Sequence, residues 1–419
     1  MDPKYKGQTD IIEQKHCDNW LGEPELLAGC EVAAAPLRVA LLLSGGVDSS
    51  VALRLLKAAG HQVTAFYLQI WFQEDFRNFW SACPWEDDLQ YCQQVCDQVA
   101  VELRMVPLTD EYWDRVVQHS IAEIKAGRTP NPDILCNSRV KFGAFYEYLE
   151  CEHGHAFDRV ASGHYARLER GARPDQPVSL VMTPDAIKDQ TYFLAHLTQA
   201  QLARVMFPLG PLTKDKVRQL AVAAGLPNQA RKDSQGICFL GKVKFSEFVR
   251  EHLGEWPGPL VDEETGAVLG YHQGFWFHTV GQRKGIHLHG GPWYVSRKDI
   301  DTNTVFVSRD YHEEGKLRNS FRCTNFNWVS GQGPLPAEGS MQLQCKVRHG
   351  PKLYACTLTL DADGADGKVV LRGNDQGLAA GQFAVFYQNS VCIGSAVIVS
   401  AASVAVVQSD WAVSGMQLA

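Results

Sequence analysis

The sequence predicts an α/β domain with a parallel sheet, then a small central domain and a C-terminal antiparallel β-barrel or sandwich. From residue 39 to about 200, apolar strand candidates alternate with helical patterns, which is typical of a parallel sheet wrapped by helices. A Ser/Gly-rich turn after the first strand opens a helix. After about residue 255 short strands and turn signals such as Pro257-Gly258-Pro259 take over, which indicates antiparallel β-structure.

The predicted parallel strands are Val39–Leu43, Val63–Leu68, Leu103–Pro107 and Val160–Ser162, with helices near residues 49–59, 86–100, 110–126 and 137–150. From Thr198 to Ala224 the pattern is helical and basic. A solvated helix face and a contact with an RNA backbone explain this equally well. The basic residues in and just after this stretch are Arg204, Lys214, Lys216, Arg218, Arg231 and Lys232.

In the C-terminal region an apolar set alternates with a polar set, as in a half-buried antiparallel strand with one polar face. The apolar set is Leu343, Cys345 and Val347, and the polar set is Gln342, Gln344, Lys346 and Arg348.

Composition sets broad limits. A chain of 419 residues is long enough for two or three domains. It contains no apolar run near the roughly 20 residues of a membrane helix, so no membrane partner is expected. The net charge of −7 neither suggests nor excludes RNA binding. Twelve cysteines are too dilute for a disulfide scaffold, which favours a reducing compartment.

The turn after the first strand, Ser44-Gly45-Gly46-Val47-Asp48-Ser49-Ser50, has the character of a phosphate cradle. Gly45 and Gly46 allow a tight turn and a close approach to a ligand, and the start of the helix favours an anion. The lysine of a Walker A loop is missing, which argues against a kinase or GTPase that acts on a γ-phosphate. The alternative is a Gly/Ser-rich turn without a ligand.

Two cysteines are candidates for chemistry. Cys136 follows the proline-rich run Gly127–Pro132 and lies near the start of the next helix, where the helix dipole favours a thiolate. Cys238 lies in a glycine-bracketed loop after the basic pair Arg231-Lys232. Taken alone, either cysteine could be structural.

No metal site is predicted. Cys83, Cys92 and Cys96 do not have a common zinc spacing, and Cys92 and Cys96 are expected to be buried thiols on a helix face. His287 and His289 are expected to be surface residues.

The motif SGGVDSS resembles the PP-loop of ATP pyrophosphatases, which cut ATP between its α and β phosphates to adenylate a carbonyl oxygen. Further motifs extend the likeness in the same order along the chain: GRTPNPDILCN, SGHY, KDQTYFL, DSQGICFLG, TVGQRKG and Ala380–Tyr387. Over residues 39 to 400 the chain therefore resembles the MnmA/TrmU family of tRNA-specific 2-thiouridylases.

This resemblance implies a Rossmann-like PP-loop ATP pyrophosphatase domain at 39–240 that is catalytic and binds tRNA. A tail at 1–38 precedes it, and a central domain at 241–318 and a C-terminal β-barrel at 319–419 follow. The implied reaction is ATP-dependent sulfur transfer to C2 of the wobble uridine U34, through adenylation of O2 and a cysteine persulfide, giving 2-thiouridine. The implied cofactors are ATP and Mg²⁺. The implied partners are tRNAs such as those for Lys, Glu and Gln, and a persulfide donor protein or cysteine desulfurase.

The resemblance also assigns roles to individual residues. Cys136 would be the catalytic nucleophile, Cys238 the persulfide carrier and Asp133 an acid or base. ATP would be bound by Ser44, Gly45, Gly46, Val47, Asp48, Ser49, Ser50, Leu68 and Gly163. The target base would meet Asn131, Pro132 and Asp133, and the rest of the tRNA would meet His164, Lys188, Asp189, Gln190, Arg348, His349 and Gln382.

Two features depart from the common family pattern. Tyr67–Trp71 replaces a phenylalanine-methionine-lysine-asparagine-tryptophan strand end, and the insertion Phe72–Trp85 is rich in aromatic residues. Both features resemble the plant and algal branch. This predicts an organelle interior, the chloroplast before the mitochondrion, with the cytoplasm as the alternative.

Three rival functions stay open on sequence alone. The first is a PP-loop synthetase that adenylates a small molecule for attack by ammonia, which would need neither cysteine. The second is a tRNA-binding protein that no longer turns over. The third is an enzyme in which Cys136, Cys238 and another thiol hold an iron–sulfur cluster.

Overall fold

The fold is taken from a computed structural model that describes residues 23–32, 35–70, 84–171, 173, 176–233, 245–311, 318–333 and 339–402. Cys238, Trp71, Trp80 and Cys83 lie outside these residues, as does most of the insertion Phe72–Trp85.

The strands fall into two groups along the chain. The first group is β1 (Arg38–Leu42), β2 (Gln62–Gln69), β3 (Leu103–Pro107), β4 (Arg159–Ser162), β5 (Arg167–Glu169), β6 (Ser179–Val181) and β7 (Val205–Met206). The second group is β8 (Gly258–Asp262), β9 (Val268–His272), β10 (Tyr294–Asp299), β11 (Thr304–Ser308), β12 (Ser320–Trp328), β13 (Ser340–Lys346), β14 (Tyr354–Leu360), β15 (Asp366–Leu371), β16 (Phe383–Gln388) and β17 (Val391–Ala402).

Most of the helices lie in the first half of the chain. They are α1 (Val47–Ala58), α2 (Pro84–Asp97), α3 (Thr109–Tyr112 and Gln118–Lys125, joined by the π-helical turn Trp113–Val117), α4 (Pro132–Leu135 and Phe145–His153, joined by the π-helical stretch Cys136–Ala144), α5 (Thr191–Leu194), α6 (Gln199–Arg204), α7 (Lys214–Ala223) and α8 (Phe245–Leu253). Short 3-10 helices span Pro24–Cys30 and Phe275–Phe277. No helix of the described ranges is both long enough and apolar enough to cross a membrane.

The N-terminal domain is built on a parallel sheet with the strand order β3-β2-β1-β4-β7. Val39, Ala40 and Leu41 of β1 have no exposed surface, because helices cover both faces of a parallel sheet. The order reverses beside β1, so the Ser44–Ser50 turn lies at the crevice where such sheets bind ligands. The predicted α/β class and the place of this turn are confirmed.

The continuous helical pattern expected from Thr198 to Ala224 is wrong in its middle. Helix α6 ends at Arg204 and the chain continues as the short strand β7. Pro208 and Pro211 then prevent helix formation until Thr213, whose side chain accepts a hydrogen bond from the backbone N–H of Lys216 and caps α7.

The central domain contains α8 and a four-stranded sheet with the order β10-β11-β8-β9. The C-terminal strands form an antiparallel sheet, β12-β15-β14-β13-β16-β17, that closes through β12 and β17. The predicted β-barrel is therefore confirmed. The hairpin β5–β6 of the N-terminal domain extends this sheet, because Val181 and Leu180 pair with Val391 and Cys392 of β17. The sequence pattern did not predict this pairing.

The polar face predicted for β13 is wrong at Lys346, whose side chain is fully buried. Its Nζ lies 2.9 Å from Oδ2 of Asp189, and the hydroxyl of Thr191 donates to the same oxygen at 2.7 Å. The segment that leads into α5 covers this end of β13 and provides the countercharge. A buried ammonium requires such a partner.

The prediction for Cys92 and Cys96 is confirmed, since both thiols are buried on α2. Burial raises the pKa of Cys92 well above its ordinary value and that of Cys96 to about 12. Both therefore stay protonated and unreactive at neutral pH.

We expect Lys346→Met to lower the free energy of unfolding by about 3–5 kcal/mol, because it leaves the Asp189 carboxylate buried without its cation. Asp189→Asn in the same chain removes that charge and should restore most of the loss. Denaturant unfolding of both variants checks this, with Lys368→Met on the exposed face of β15 as the control. Equal losses in the single and double variants would contradict it.

Candidate active site

The turn between β1 and α1 is held in shape by its own serines. The hydroxyl of Ser49 accepts from the backbone N–H of Ser44 at 3.2 Å, and the hydroxyls of Ser49 and Ser50 donate to the carbonyl of Gly46 at 3.1 and 2.9 Å. Gly45 has a φ of +72°, and a methyl group there would lie 2.5 Å from the carbonyl oxygen of Asp88. Only glycine fits this position.

The turn leaves the start of α1 open to an anion. Gly46 precedes the helix and provides no side-chain cap for the first backbone N–H groups. Such N–H groups, at the positive end of the helix dipole, bind phosphate oxygens. Gly163, at the end of β4, packs against the start of α1, because a Cβ on it would lie 2.8 Å from the backbone nitrogen of Ser49. Leu68 lies near the end of the neighbouring strand β2.

A cluster of charges surrounds Asp48 in the first turn of α1. Lys214 Nζ lies 2.7 and 2.9 Å from the two carboxylate oxygens of Asp48, and the hydroxyl of Tyr165 donates to it at 2.8 Å. Burial raises the pKa of Tyr165, and Asp48 raises it further, so this hydroxyl stays protonated. Lys214 also lies 2.9 Å from Asp233.

Asp233 joins this cluster to the segment predicted to contact tRNA. Lys188 Nζ lies 2.7 Å from its carboxylate, and Arg218 also forms an ion pair with it. Burial alone would raise the pKa of Asp233, but hydrogen bonds from Lys188 and Lys214 hold it well below its ordinary value. The carboxylate is therefore ionised at every physiological pH.

The segment Asn228–Arg231 supports the back of the turn. Asn228 Nδ2 donates to the carbonyl of Gly45 at 2.8 Å and to the hydroxyl of Ser50 at 2.9 Å. Arg231 donates to the same carbonyl at 3.1 Å and forms an ion pair with Asp88. The sequence showed the positive charges of this region but did not predict that Lys214 and Arg231 contact the loop and that Arg218 pairs with Asp233.

The loop before Cys136 is attached to the barrel. The backbone N–H of Thr129 donates to the carbonyl of Ala380 at 2.7 Å, and Gln382 Nε2 donates to the carbonyls of Thr129 and Pro130 at 2.8 and 3.3 Å. Gly381 lies so close that a Cβ on it would be 2.9 Å from the nitrogen of Thr129. The barrel therefore sets the position of this loop.

The helix that carries Cys136 starts directly after this loop. Asn131 caps α4, since its Oδ1 accepts from the backbone N–H of Ile134 at 3.3 Å, and Pro132 occupies the first turn. Asp133 is half-buried in that turn. Cys136 follows it, as predicted, with only 1% of its surface exposed. Cys238 lies outside the described residues, so its distance from Cys136 stays untested.

The segment Lys188–Phe193 connects the two halves of the site. Oε1 of Gln190 accepts from the backbone N–H of Tyr165 at 2.9 Å, and the hydroxyl of the same Tyr165 donates to Asp48. At its other end, the carbonyl of Phe193 accepts from Asn137 Nδ2 at 3.2 Å, beside Cys136. A short path of contacts therefore joins the Ser44–Ser50 turn to the helix that carries Cys136.

The predicted contacts on the barrel lie beside this segment. His349 Nε2 is 3.2 Å from the carbonyl oxygen of Asp189, and its ring stacks on Phe193 at 4.7 Å. Arg348 pairs with Asp375 but keeps 55% of its side chain exposed. Arg348, His349 and Gln382 line one cavity of about 690 Å³, together with Thr129. The Asp189 side chain instead faces Lys346 and is buried.

No cluster of three or more His, Cys, Asp or Glu side chains suited to a metal ion occurs in the described part of the chain.

We expect Gly381→Ala to lower the free energy of unfolding by about 1–3 kcal/mol more than Gly364→Ala. Both glycines have positive φ, +90° and +70°, but only Gly381 has a neighbour that a methyl group would strike. Comparing the two variants in denaturant separates the collision with Thr129 from backbone strain. Equal losses of unfolding free energy in the two variants would contradict this prediction and show that the loop around Thr129 moves to accommodate the methyl group.

We expect His164 to make the protein less stable in acid. Its ring packs against Phe142 and Phe207, and burial, with Lys141 nearby, lowers its pKa to about 3. The unfolded chain takes up this proton near pH 6.5 and the folded chain does not, so stability falls as the pH drops from about 6.5 towards 3. His164→Gln should reduce that slope by up to about 1.4 kcal/mol per pH unit.

The measurement is the unfolding free energy at a series of pH values, with His155→Gln, an exposed histidine, as the control. A slope unchanged by His164→Gln would exclude this role.

Three family models match most of the described residues. Residues 37–242 match a tRNA methyl transferase HUP domain, residues 246–309 a tRNA methyl transferase PRC-barrel domain, and residues 318–398 an aminomethyltransferase β-barrel domain.

Individual relatives are similar over nearly their full length. The tRNA-specific 2-thiouridylase MnmA of Parabacteroides distasonis is 40% identical over 369 residues, which cover 87% of this chain and 99% of that protein. MnmA 2 of Bacteroides fragilis is 42% identical over 360 residues, which cover 85% and 98%. Among solved structures, a 4-thiouridine synthetase in complex with RNA and ATP is 17% identical, with a TM-score of 0.32 over 52% of this chain and 50% of that chain.

These bacterial relatives do not test the plant and algal placement. At about 40% identity over most of its length, with matches to all three domains, the chain belongs to the family of tRNA-specific 2-thiouridylases.

Proposed function

We propose that this protein is an ATP-dependent tRNA sulfurtransferase that converts the wobble uridine U34 to 2-thiouridine. The observation that carries the proposal is the path of contacts between the Ser44–Ser50 loop and the Cys136 helix through Lys188–Phe193. A nucleotide at the loop and a base at Asn131–Asp133 would then belong to one site. Membership of the family supports the same reaction.

The first step activates the uridine. The O2 oxygen of the base attacks the α-phosphorus of ATP, pyrophosphate leaves, and an adenylated uridine remains. The first turn of α1 stabilises the negative charge that develops on the phosphates. Asp133, half-buried at the start of α4, is suited to move the proton at the base.

The site offers Mg²⁺ one carboxylate ligand. That ligand is Asp48 of the Ser44–Ser50 loop, and Mg²⁺ is usually held by one or two carboxylates together with substrate phosphates and water. When bound, the ion would neutralise charge on the leaving pyrophosphate.

The second step transfers sulfur. The terminal sulfur of a persulfide on Cys238 attacks C2 and AMP leaves, so the base is joined to Cys238 through two sulfur atoms. The thiolate of Cys136 then attacks the Cys238 sulfur, which releases the thiocarbonyl base and forms a Cys136–Cys238 disulfide. A thiol reductant resets the pair. Because Cys136 is buried here, tRNA binding must expose it.

Several finer features belong to the same proposal. The substrates are the tRNAs for Lys, Glu and Gln, and the sulfur comes from a persulfide donor protein or cysteine desulfurase. His164, Lys188, Gln190, Arg348, His349 and Gln382 contact the tRNA, and the compartment is an organelle interior or the cytoplasm. The buried Asp189 would act through the backbone of its segment.

The test is mass spectrometry of nucleosides from tRNA incubated with ATP, Mg²⁺ and a persulfide donor. We expect 2-thiouridine with the wild type and with Cys151→Ser, an exposed cysteine on α4, and a loss of at least 100-fold with Cys136→Ser or Cys238→Ser. Equal product from Cys238→Ser and the wild type would refute the assigned carrier.

Two parallel measurements address the rival functions. Pyrophosphate release that requires tRNA separates this enzyme from a tRNA-binding protein without turnover and from a small-molecule synthetase. Full activity of anaerobically purified protein without iron excludes the iron–sulfur alternative.

A further inference from the structure

We propose that Lys214 is the cation that binds the β and γ phosphates of ATP, which the Ser44–Ser50 loop itself does not supply. The inference rests on the proposed function, because it names a further binding residue for the same nucleotide. A Walker A loop carries its lysine within the motif, and this loop has none. In the folded chain Lys214, which lies 166 residues after Asp48 in the sequence, is beside this loop.

The position of Lys214 is fixed from several sides. It is the first residue of α7, only 9% of its surface is exposed, and its Nζ lies between the carboxylates of Asp48 and Asp233. Its ammonium also lies 5.7 Å from the centre of the Tyr165 ring. Asp48 belongs to the first turn of α1, so the ammonium lies at the end of the helix where the phosphates are expected.

The charges around this position balance. Lys188, Lys214 and Arg218 contribute three positive charges, and Asp48, Asp185 and Asp233 contribute three negative ones, with Asp185 accepting from the backbone N–H of Lys214 at 3.0 Å. An anion at the open N–H groups of the turn therefore meets no net negative charge. An exposed surface cluster would be screened by water, but Lys214 is largely shielded from it.

Arg231 is another described cation that touches the turn, but it binds a different group. Its guanidinium binds the carbonyl oxygen of Gly45 and the carboxylate of Asp88, whereas Lys214 binds Asp48 in the first turn of α1. The N–H groups to which phosphate oxygens bind belong to that first turn. Lys214 is thus the better placed of the two.

The chemical role follows from the leaving group. Breaking the bond between the α-phosphorus and its bridging oxygen puts negative charge on pyrophosphate, and an ammonium already in place stabilises that charge. Asp48 and Asp233 keep the side chain beside the loop before ATP binds. Asp48 retains the hydroxyl of Tyr165, and Asp233 retains Lys188 and Arg218, when Lys214 turns to the phosphates.

The test compares binding of ATP and of adenosine, which has no phosphates, to the full-length protein by equilibrium titration. We expect Lys214→Gln and Lys214→Met to weaken ATP binding by about 10- to 100-fold, the usual effect of losing a charged hydrogen bond, and adenosine binding by less than twofold. Lys216→Gln, on the same helix and 40% exposed, is the control and should bind both ligands as the wild type does.

Unchanged ATP binding, or equal weakening for ATP and adenosine, would overturn the inference. Wild-type thiolation is measured separately, so a failure of the proposed function shows as no 2-thiouridine from the wild type, whatever Lys214 does. If the variants do not fold, acylation of Lys214 in the wild type is followed by mass spectrometry. ATP should slow it at least fivefold and adenosine should not, and equal rates with both ligands would refute the assignment.

Discussion

The structure depends on the buried ion pair between Lys346 and Asp189. An ammonium without exposed surface is tolerated only where a carboxylate meets it directly, and here that carboxylate comes from another domain, 157 residues earlier in the chain. The hydroxyl of Tyr387 lies 3.0 Å from that of Thr191, and Tyr192 donates to the carbonyl of Phe383, so polar contacts surround the pair. These contacts hold the barrel against the segment that carries Asp189.

The segment Lys188–Phe193, which carries Asp189, also connects separate parts of the candidate site. Lys188 reaches Asp233, Gln190 holds the backbone beside Tyr165, and Phe193 receives Asn137 next to Cys136. These three contacts lie within six residues, although their partners come from distant parts of the chain. One short stretch, itself bound to the barrel, therefore connects the Ser44–Ser50 turn with the helix that carries Cys136.

The sequence predicted the features that depend on local pattern. The parallel strands, the turn after β1, the burial of Cys92 and Cys96 and the barrel all follow from periodicity and turn residues a few positions apart. It failed at the helix predicted from Thr198 to Ala224, where the local effect of Pro208 and Pro211 was not predicted, and at Lys346, where a distant segment decides the outcome. Lys346 stands in a polar alternation, and nothing near it shows that the segment leading into α5 covers that face.

The same limit explains what was missed at the site. Lys214 and Arg218 are indistinguishable in sequence from solvated helix charges, and only the fold brings Asp48 and Asp233 to them. The roles of Cys238 and of the tRNA contacts came from the family resemblance, and they stay predictions. Gly45 was the exception, because its need for a positive φ is local and could be read from the motif.

The hairpin β5–β6 has a consequence for the order in which the chain is made. It pairs with β17, which the ribosome synthesises about two hundred residues later. Until then the edge of β6 has no neighbour, and an unpaired edge can capture a strand of another chain. The N-terminal domain therefore cannot complete its surface before β17 emerges, which ties its correct folding to synthesis of the C-terminal barrel.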